Sequence, residues 1–140
     1  MRFRELSRSY FRQGKARYRT AKLAYNQRNY PYSVRQAQES VELVLKGALK
    51  LVGVEHPKLH DVSDALLSNT DRFPEQFRVR VDQLAKISKQ LARKRAPAMY
   101  GEETRGLPPE KLFDRTDAKK ALDDARKILD ACDMLFASAR

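Results

Sequence analysis

The sequence contains little of what secreted, membrane-spanning or disulfide-rich proteins need. Its 140 residues include one cysteine and no tryptophan. A lone thiol, Cys132, has no internal disulfide partner, which is typical of a reducing cytoplasm. No run approaches the roughly 18 apolar residues of a membrane span, and the N-terminal segment has no apolar signal-peptide core. These absences predict a cytoplasmic protein with no membrane partner. A charged fraction of 34% together with so few Cys and Trp is typical of thermophilic proteins.

Glycine and proline are also scarce, and their scarcity argues against a sheet-rich fold with many turns. There are five glycines and six prolines in a chain of 16.2 kDa. This mass is that of one domain, so we predict a single domain over residues 1–140. Apolar residues recur at steps of three and four in most segments, as they do on helix faces. The sequence therefore predicts an all-α fold, an antiparallel up-and-down bundle of four to five helices.

The helix boundaries follow from apolar spacing and from the residues that start or stop helices. Predicted helices run from Arg4 to about Gln27, over 34–52, over 61–68, from Pro74 to Arg93 or beyond, and from a cap at Thr116 or Asp117 to about Phe136. The first helix is expected to bury Leu6, Tyr10, Gly14, Ala21 and Ala24.

The connections between the helices are predicted from their turn residues. A turn over 29–33 contains Pro31, and Asp61 is expected to cap the short third helix. Pro97 is expected to end or kink the fourth helix. Residues 96–116 then form the longest irregular stretch and a candidate functional loop.

Positive charge is concentrated in two segments. The net charge is +11 and the pI is about 10.0. Residues 1–28 carry nine basic residues against one acidic residue, and residues 78–95 carry seven against one. Two such segments predict a polyanionic partner, because neutralised phosphates release counterions. A solvated helix face that keeps the protein soluble is the alternative reading.

Most enzyme classes lack their characteristic residues here. Neither a P-loop nor a GxGxxG phosphate-binding loop is present. The only histidines are His56 and His60, and with one cysteine they cannot form a Cys/His zinc site. A di-iron bundle would need Glu-x-x-His pairs, and none occurs. We expect no metal and no cofactor.

A pattern over residues 9–68 closely resembles the HEPN family of prokaryotic helical domains. It comprises a first helix opening with Tyr10–Lys22, then Gln38-x-x-x-Glu42-x-x-x-Lys46, then Gly53 and the pair His60-Asp61. The resemblance implies a four- or five-helix bundle that homodimerises and acts on RNA or nucleotides. It also implies a small nucleotidyltransferase partner in a toxin–antitoxin pair.

Many HEPN proteins are metal-independent ribonucleases with an Arg followed four to six residues later by a His, near the end of a long helix. In such a site Arg holds the scissile phosphate and His moves the proton of the 2′-hydroxyl. The corresponding segment here begins Arg93-Lys94-Arg95, and Tyr100 stands in the place of His. Tyrosine, with a reference pKa near 10, is a poor general base at neutral pH.

Arg95 and Tyr100 are thus the catalytic candidates, and a binding module without ribonuclease activity is the first hypothesis. Its basic cleft would contain Arg93, Lys94, Arg95, Tyr100, Glu42, Lys46 and His60. A metal-independent endoribonuclease with a degenerate Arg–Tyr site is the alternative. A third hypothesis is an interaction subunit whose essential partner is a nucleotidyltransferase.

Two of the predicted site elements also have structural interpretations. Glu42 and Lys46 stand at i and i+4, the order that favours an intrahelical ion pair. His60 with Asp61 fits a loop-to-helix cap with a hydrogen-bonded imidazole.

Overall fold

The structure, a computed structural model, describes residues 2–139, so Met1 and Arg140 of the predicted domain lie outside the described residues. Within this range the chain forms helices and no strand; one isolated bridge joins Glu102 to Leu107. The helices are α1 (Arg2–Asn26), α2 (Tyr30–Leu51), α3 (Ser63–Ser68), α4 (Glu75–Arg78), α5 (Val81–Tyr100), α6 (Pro109–Leu112) and α7 (Arg115–Ser138). The all-α prediction is confirmed, and the four long helices α1, α2, α5 and α7 are compatible with a helical bundle.

Helix α1 lies against α2 at unusually close range because each helix contributes a glycine to the contact. A Cβ atom on Gly14 would overlap the Val44 side chain and lie 3.1 Å from the Ser40 carbonyl oxygen. A Cβ atom on Gly47 would lie 3.0 Å from the Ser7 carbonyl oxygen. The Ser40 hydroxyl uses this proximity to donate a hydrogen bond of 2.7 Å to the Gly14 carbonyl.

Helix α2 is the centre of the core, since it packs against α1, α5 and α7. The apolar faces predicted for the second, fourth and last helices are buried in one contiguous cluster. The buried residues that follow steps of three and four in these segments are Val34, Ala37, Val41, Val44, Leu45, Ala48, Leu49, Phe77, Val81, Leu84, Ile87, Leu91, Ala118, Ala121, Leu122, Ala125, Ile128, Leu129, Cys132, Leu135 and Phe136.

The predicted face of α1 is shifted by one residue at its N-terminal end. Leu6 is 43% exposed, whereas Ser7 and Phe11 are buried. From Gly14 onward the prediction holds, because Ala21 and Ala24 are buried as expected. Ser7, and not Leu6, lies at the contact with α2, because the Ser7 backbone faces Gly47 there. A small side chain suits this close contact.

The second helix begins earlier than predicted. Tyr30 is its first residue, and Pro31 stands in the first turn, where its missing N–H costs no hydrogen bond. The turn is therefore only three residues long, and Arg28 adopts a φ of 62° in it.

Asp61 stands just outside the short helix that it was predicted to cap. Helix α3 begins at Ser63, and the N-cap is Val62. The Asp61 carboxylate nevertheless accepts a hydrogen bond of 2.9 Å from the Ser63 N–H, so it still serves the start of this helix.

The predicted fourth helix is two helices. Pro74 is the N-cap of the four-residue α4, and Val79 and Arg80 separate it from α5. The buried Phe77 and Val81 continue the apolar spacing across this break, which is why the sequence pattern did not reveal it.

Pro97 does not end α5, and the predicted irregular stretch is correspondingly shorter. The helix continues to Tyr100, where the Gly101 N–H donates to the Pro97 carbonyl at 2.9 Å and Gly101 adopts a φ of 75°. Proline so near the helix end forfeits only one backbone bond. The irregular segment between α5 and α6 spans 101–108.

The last helix is capped at Asp114, earlier than the predicted Thr116 or Asp117. Asp114 is the N-cap, and its carboxylate accepts the Asp117 N–H at 3.0 Å. The Asp117 carboxylate accepts the Asp114 N–H in return at 2.9 Å, which completes a capping box.

We predict that Gly14→Ala destabilises the protein. Replacing an exposed helical glycine by alanine stabilises by roughly 0.5–1 kcal/mol, but here the added methyl group overpacks the α1–α2 contact, which costs about 1–3 kcal/mol. Urea unfolding should therefore show a lower midpoint. Gln13→Ala, on the exposed side of the same helix, is the matched control and should leave the midpoint close to that of the unmodified protein. A higher midpoint for Gly14→Ala would contradict the close packing.

Candidate functional site

A row of polar side chains runs along one face of α2, where a purely structural helix would bury apolar groups. Gln38, Glu42 and Lys46 follow each other at intervals of four residues, so they share a face. Glu39, about 60° from Glu42 around the helix, is the fourth member of the row. Gln38 is 1% exposed and Lys46 is 9% exposed. Buried polar groups are costly unless they are hydrogen-bonded, so the partners of this row determine what it does.

Glu42 is the centre of the first half of the row. Its carboxylate accepts hydrogen bonds from Lys46 at 2.7 Å and from Gln38 at 3.0 Å, and it lies 2.8 Å from Nδ1 of His60. The predicted intrahelical pair of Glu42 and Lys46 is thus confirmed, and so is the hydrogen-bonded imidazole of His60. Burial alone would raise the pKa of Glu42, but the hydrogen bonds from Lys46, Gln38 and His60 outweigh it and lower that pKa.

Glu39 is the centre of the second half, where three guanidinium groups converge on it. Arg17 of α1 lies 3.1 Å away, Arg35 of α2 lies 3.3 Å away and Arg95 of α5 lies 3.5 Å away. The Arg35 atom nearest to Glu39 is its buried Nε, which makes this ion pair without a hydrogen bond. Arg95 also donates to the Gln38 side chain at 2.9 Å, which joins the two halves of the row.

Most of this second cluster was not predicted from the sequence. Arg35 and Glu39 are four residues apart on α2, a spacing that predicts an intrahelical ion pair. Arg17 and Arg95 reach this cluster from other helices; Arg17 is 22 residues from Glu39, and Arg95 is 57 residues from Gln38. No local pattern predicts such contacts.

The structure brings together four of the predicted site residues and separates the other three from them. Arg95, Glu42, Lys46 and His60 are connected through Gln38. The remaining three are Arg93, Lys94 and Tyr100. At about 100° per residue, Arg93 and Arg95 lie about 160° apart around α5. Arg93 and Arg95 of the predicted cleft therefore lie on nearly opposite faces of α5.

The outward face of α5 carries Lys86, Lys89, Arg93 and Tyr100. All four are exposed, and Tyr100 is 68% exposed. Their spacing of three, four and seven residues places them within about 60° of one another. In the described part of the chain, the only ion pair formed by α5 is that of Arg95 with Glu39 on the other face. The three cations of the outward face are therefore available to an anionic ligand.

The remaining reactive groups lie apart from these two faces. Cys132 is fully buried in the core, and this burial raises the pKa of its thiol. His56 packs against the Tyr10 ring, with ring centroids 5.7 Å apart.

Residues 2–139 contain no group of three His, Cys, Asp or Glu side chains placed to hold a metal ion. Across the same residues, no helix combines the length and apolar character needed to cross a membrane.

Comparisons with known proteins agree with the fold. A family model described as HEPN domain matches residues 7–135. The chain is also similar to the protein in the crystal structure of TT1696 from Thermus thermophilus, with a TM-score of 0.74 and 24% sequence identity; the match covers 91% of this chain and 96% of that one. At this level of identity the likeness shows the fold alone. No curated protein matches the chain significantly.

We predict that Glu42→Gln lowers stability in a pH-dependent way. Because the pKa of Glu42 is lowered in the folded state, its stabilising contribution is complete above the unfolded value of about 4.3 and is lost as the pH falls through the folded value. At pH 7 the variant should lose roughly 1–3 kcal/mol of unfolding free energy, since Lys46 loses its charged partner. The difference from the unmodified protein should shrink below about pH 4.3.

The matched control is Asp123→Asn, which removes the acid of the exposed i,i+4 pair Lys119–Asp123 on α7. It should cost only about 0.3–0.5 kcal/mol. Urea unfolding at several pH values between 2.5 and 7 measures both differences. A Glu42→Gln cost that equals the control, or that stays constant to pH 2.5, would contradict the description of Glu42.

Proposed function

This chain belongs to the HEPN domain family, and on that premise we propose that it binds RNA through the outward face of α5. The contacts would come from Lys86, Lys89 and Arg93 to phosphates and from the Tyr100 ring to a base. This is the function that the arrangement of cations and aromatic group supports best. A single strand is the favoured form of RNA, since its unstacked bases are free to stack on an aromatic side chain.

One observation carries the proposal: among the described residues the cations on this face have no acidic partner, and an exposed aromatic ring lies in line with them. The cations of α7, by contrast, are neutralised in pairs, such as Lys119 with Asp123 and Arg126 with Asp130. Arg93 and Tyr100 lie about 20° apart around the helix and about 10 Å apart along it. Alternating phosphate and base contacts along a single strand suit such a surface.

The opposite face of α5 has a positioning role in this proposal. Arg95 is held by Gln38 and Glu39 of α2, so it fixes the rotation of α5 about its own axis. Glu42, Lys46 and His60 extend the same network and hold the connection before α3 against α2. With Arg95 inside the network, Arg93 is the arginine of this segment that meets solvent.

A metal-independent endoribonuclease with Arg95 and Tyr100 is the alternative function. The two residues are five positions apart, and their side chains leave α5 about 140° apart. One protomer therefore does not present them to the same phosphate. A shared site in a homodimer, with Tyr100 of one protomer beside Arg95 of its partner, is the arrangement that this alternative would need.

The proposal extends to assembly and partners. A symmetric homodimer would carry two outward α5 faces, so that it could contact a longer stretch of single-stranded RNA. A small nucleotidyltransferase in a toxin–antitoxin pair is the partner that the family resemblance implies. In that arrangement the chain would be the RNA-binding component and would perform no chemistry of its own.

We predict that Lys89→Gln/Arg93→Gln weakens the binding of a 12-nucleotide single-stranded RNA, measured by fluorescence anisotropy between 50 and 300 mM salt. Each phosphate contact on a single strand contributes about 0.7 to the slope of log K against log salt. The double variant should therefore flatten that slope by about 1.4. Lys119→Gln/Arg126→Gln removes the same charge from α7 and is the matched control, with a much smaller effect expected.

Equal losses in the two double variants would show that net charge alone is responsible, and the assignment to α5 would be wrong. The same RNA, incubated with the protein in EDTA and then run on a denaturing gel, distinguishes the alternative. We expect intact RNA. Cleavage that is lost in Arg95→Ala and in Tyr100→Phe would favour the endoribonuclease instead.

A further inference from the structure

A second line of cations runs along α1, away from the proposed RNA-binding face. We call it the α1 ridge; it consists of Arg8, Arg12, Lys15, Arg19 and Lys22. Steps of four, three, four and three residues keep these side chains within about 40° of a common line. The ridge spans about 21 Å, with one cation for about every 5 Å of helix. Arg12, Arg19 and Lys22 are exposed, and Arg8 and Lys15 are half-buried.

The ridge is only partly neutralised, because Asp130, which lies in the same groove, is paired with Arg126 of α7. Among the described residues, its only ion pair is that of Lys15 with Asp133 of α7, at 3.7 Å between two partly exposed side chains. Like charges three and four residues apart on a helix repel each other. Helix α7 avoids this repulsion by placing an aspartate four residues after three of its cations, at Asp123, Asp124 and Asp130. A simple solvated face would gain from the same pattern, and α1 does not have it.

Aromatic rings lie beneath the ridge and contact two of its cations. The Lys15 ammonium lies 4.7 Å from the Phe11 ring centroid, and the Lys22 ammonium lies 5.5 Å from that of Tyr18. Phe11 is buried and is stacked on Phe136 at 4.5 Å between ring centroids. A ligand on the ridge would therefore meet charge and hydrogen-bond donors first, since the half-buried Tyr18 ring lies under the Lys22 ammonium.

We propose that the α1 ridge is a docking surface for a nucleic-acid backbone that reads neither base nor sequence. This inference rests on the proposed RNA binding and adds to it a second surface with a different task. An evenly spaced line of like charges matches a linear polyanion that carries one charge per nucleotide. The outward face of α5 holds a strand that has free bases, and the α1 ridge holds a phosphate backbone, including that of a duplex.

The test uses two 20-base-pair DNA duplexes of unrelated sequence, in which no base face is free to stack on Tyr100. Binding is measured by anisotropy across salt for Arg12→Gln/Arg19→Gln/Lys22→Gln. Each phosphate contact on duplex DNA contributes about 0.9 to the salt slope, so the triple variant should flatten it by about 2.7 on both duplexes. Lys119→Gln/Lys120→Gln/Lys127→Gln, which removes three paired cations from a part of α7 away from the ridge, is the matched control and should leave most of the slope.

The comparison with the α5 variant separates this inference from the proposed function. Loss of single-strand binding in Lys89→Gln/Arg93→Gln, with unchanged duplex binding in the ridge variant, would overturn the ridge and leave the proposed function in place. The reverse pattern would support the ridge and overturn the assignment to α5. Equal effects of the ridge variant and the α7 control would also overturn the ridge.

Two further measurements keep the outcome unambiguous. Vesicles containing 30% phosphatidylserine test a lipid surface; binding to them that needs the ridge, together with duplex binding that does not, would overturn the proposal. Circular dichroism checks the fold of the triple variant, since glutamine is a good helix former at exposed positions. Should that variant not fold, Arg12→Gln and Arg19→Gln are measured singly, each with an expected flattening of about 0.9.

Discussion

The close contact between α1 and α2 at Gly14 and Gly47 is the constraint on which the other features depend. Two helices that approach this closely have little freedom to rotate, because any Cβ atom at either glycine would meet backbone or side-chain atoms of the other helix. The Ser40 hydroxyl bonded to the Gly14 carbonyl adds a directional restraint. With α1 held in this way, Arg17 points to Glu39 on α2, and the cations of the α1 ridge point away from the core.

The buried polar row of α2 has the same effect on α5. A carboxylate in a mostly buried position is stable only when cations and donors surround it, and Glu39 obtains Arg95 from α5 to meet this need. Since Arg95 faces inward, the opposite face of α5 is exposed to solvent. The contact of Arg95 with Glu39, on the opposite side of α5, thus helps to place Arg93 and Tyr100 on the outward face.

The sequence predicted those features that depend on local spacing and failed where contacts between distant segments decide. The apolar steps of α2, α5 and α7 reproduce the core, and the i,i+4 spacing of Glu42 and Lys46 predicted their pair correctly. Pro97 and Tyr100 were predicted to lie in an irregular stretch, but both belong to α5. The loss of one backbone hydrogen bond near the end of a helix is not enough to end it. The convergence on Glu39 could not be predicted, because two of its three cations come from other helices.

The measurement that most directly tests the account is an NMR titration of the protein with single-stranded RNA, observed at the arginine Nε–Hε resonances. Single Arg→Gln variants assign these resonances. The account predicts that Arg93 shifts in proportion to bound RNA, together with the ring protons of Tyr100. The resonances of Arg17, Arg35 and Arg95 should stay in place, since Glu39 and Gln38 hold these groups. Shifts at Arg95 with an unmoved Arg93 would contradict it.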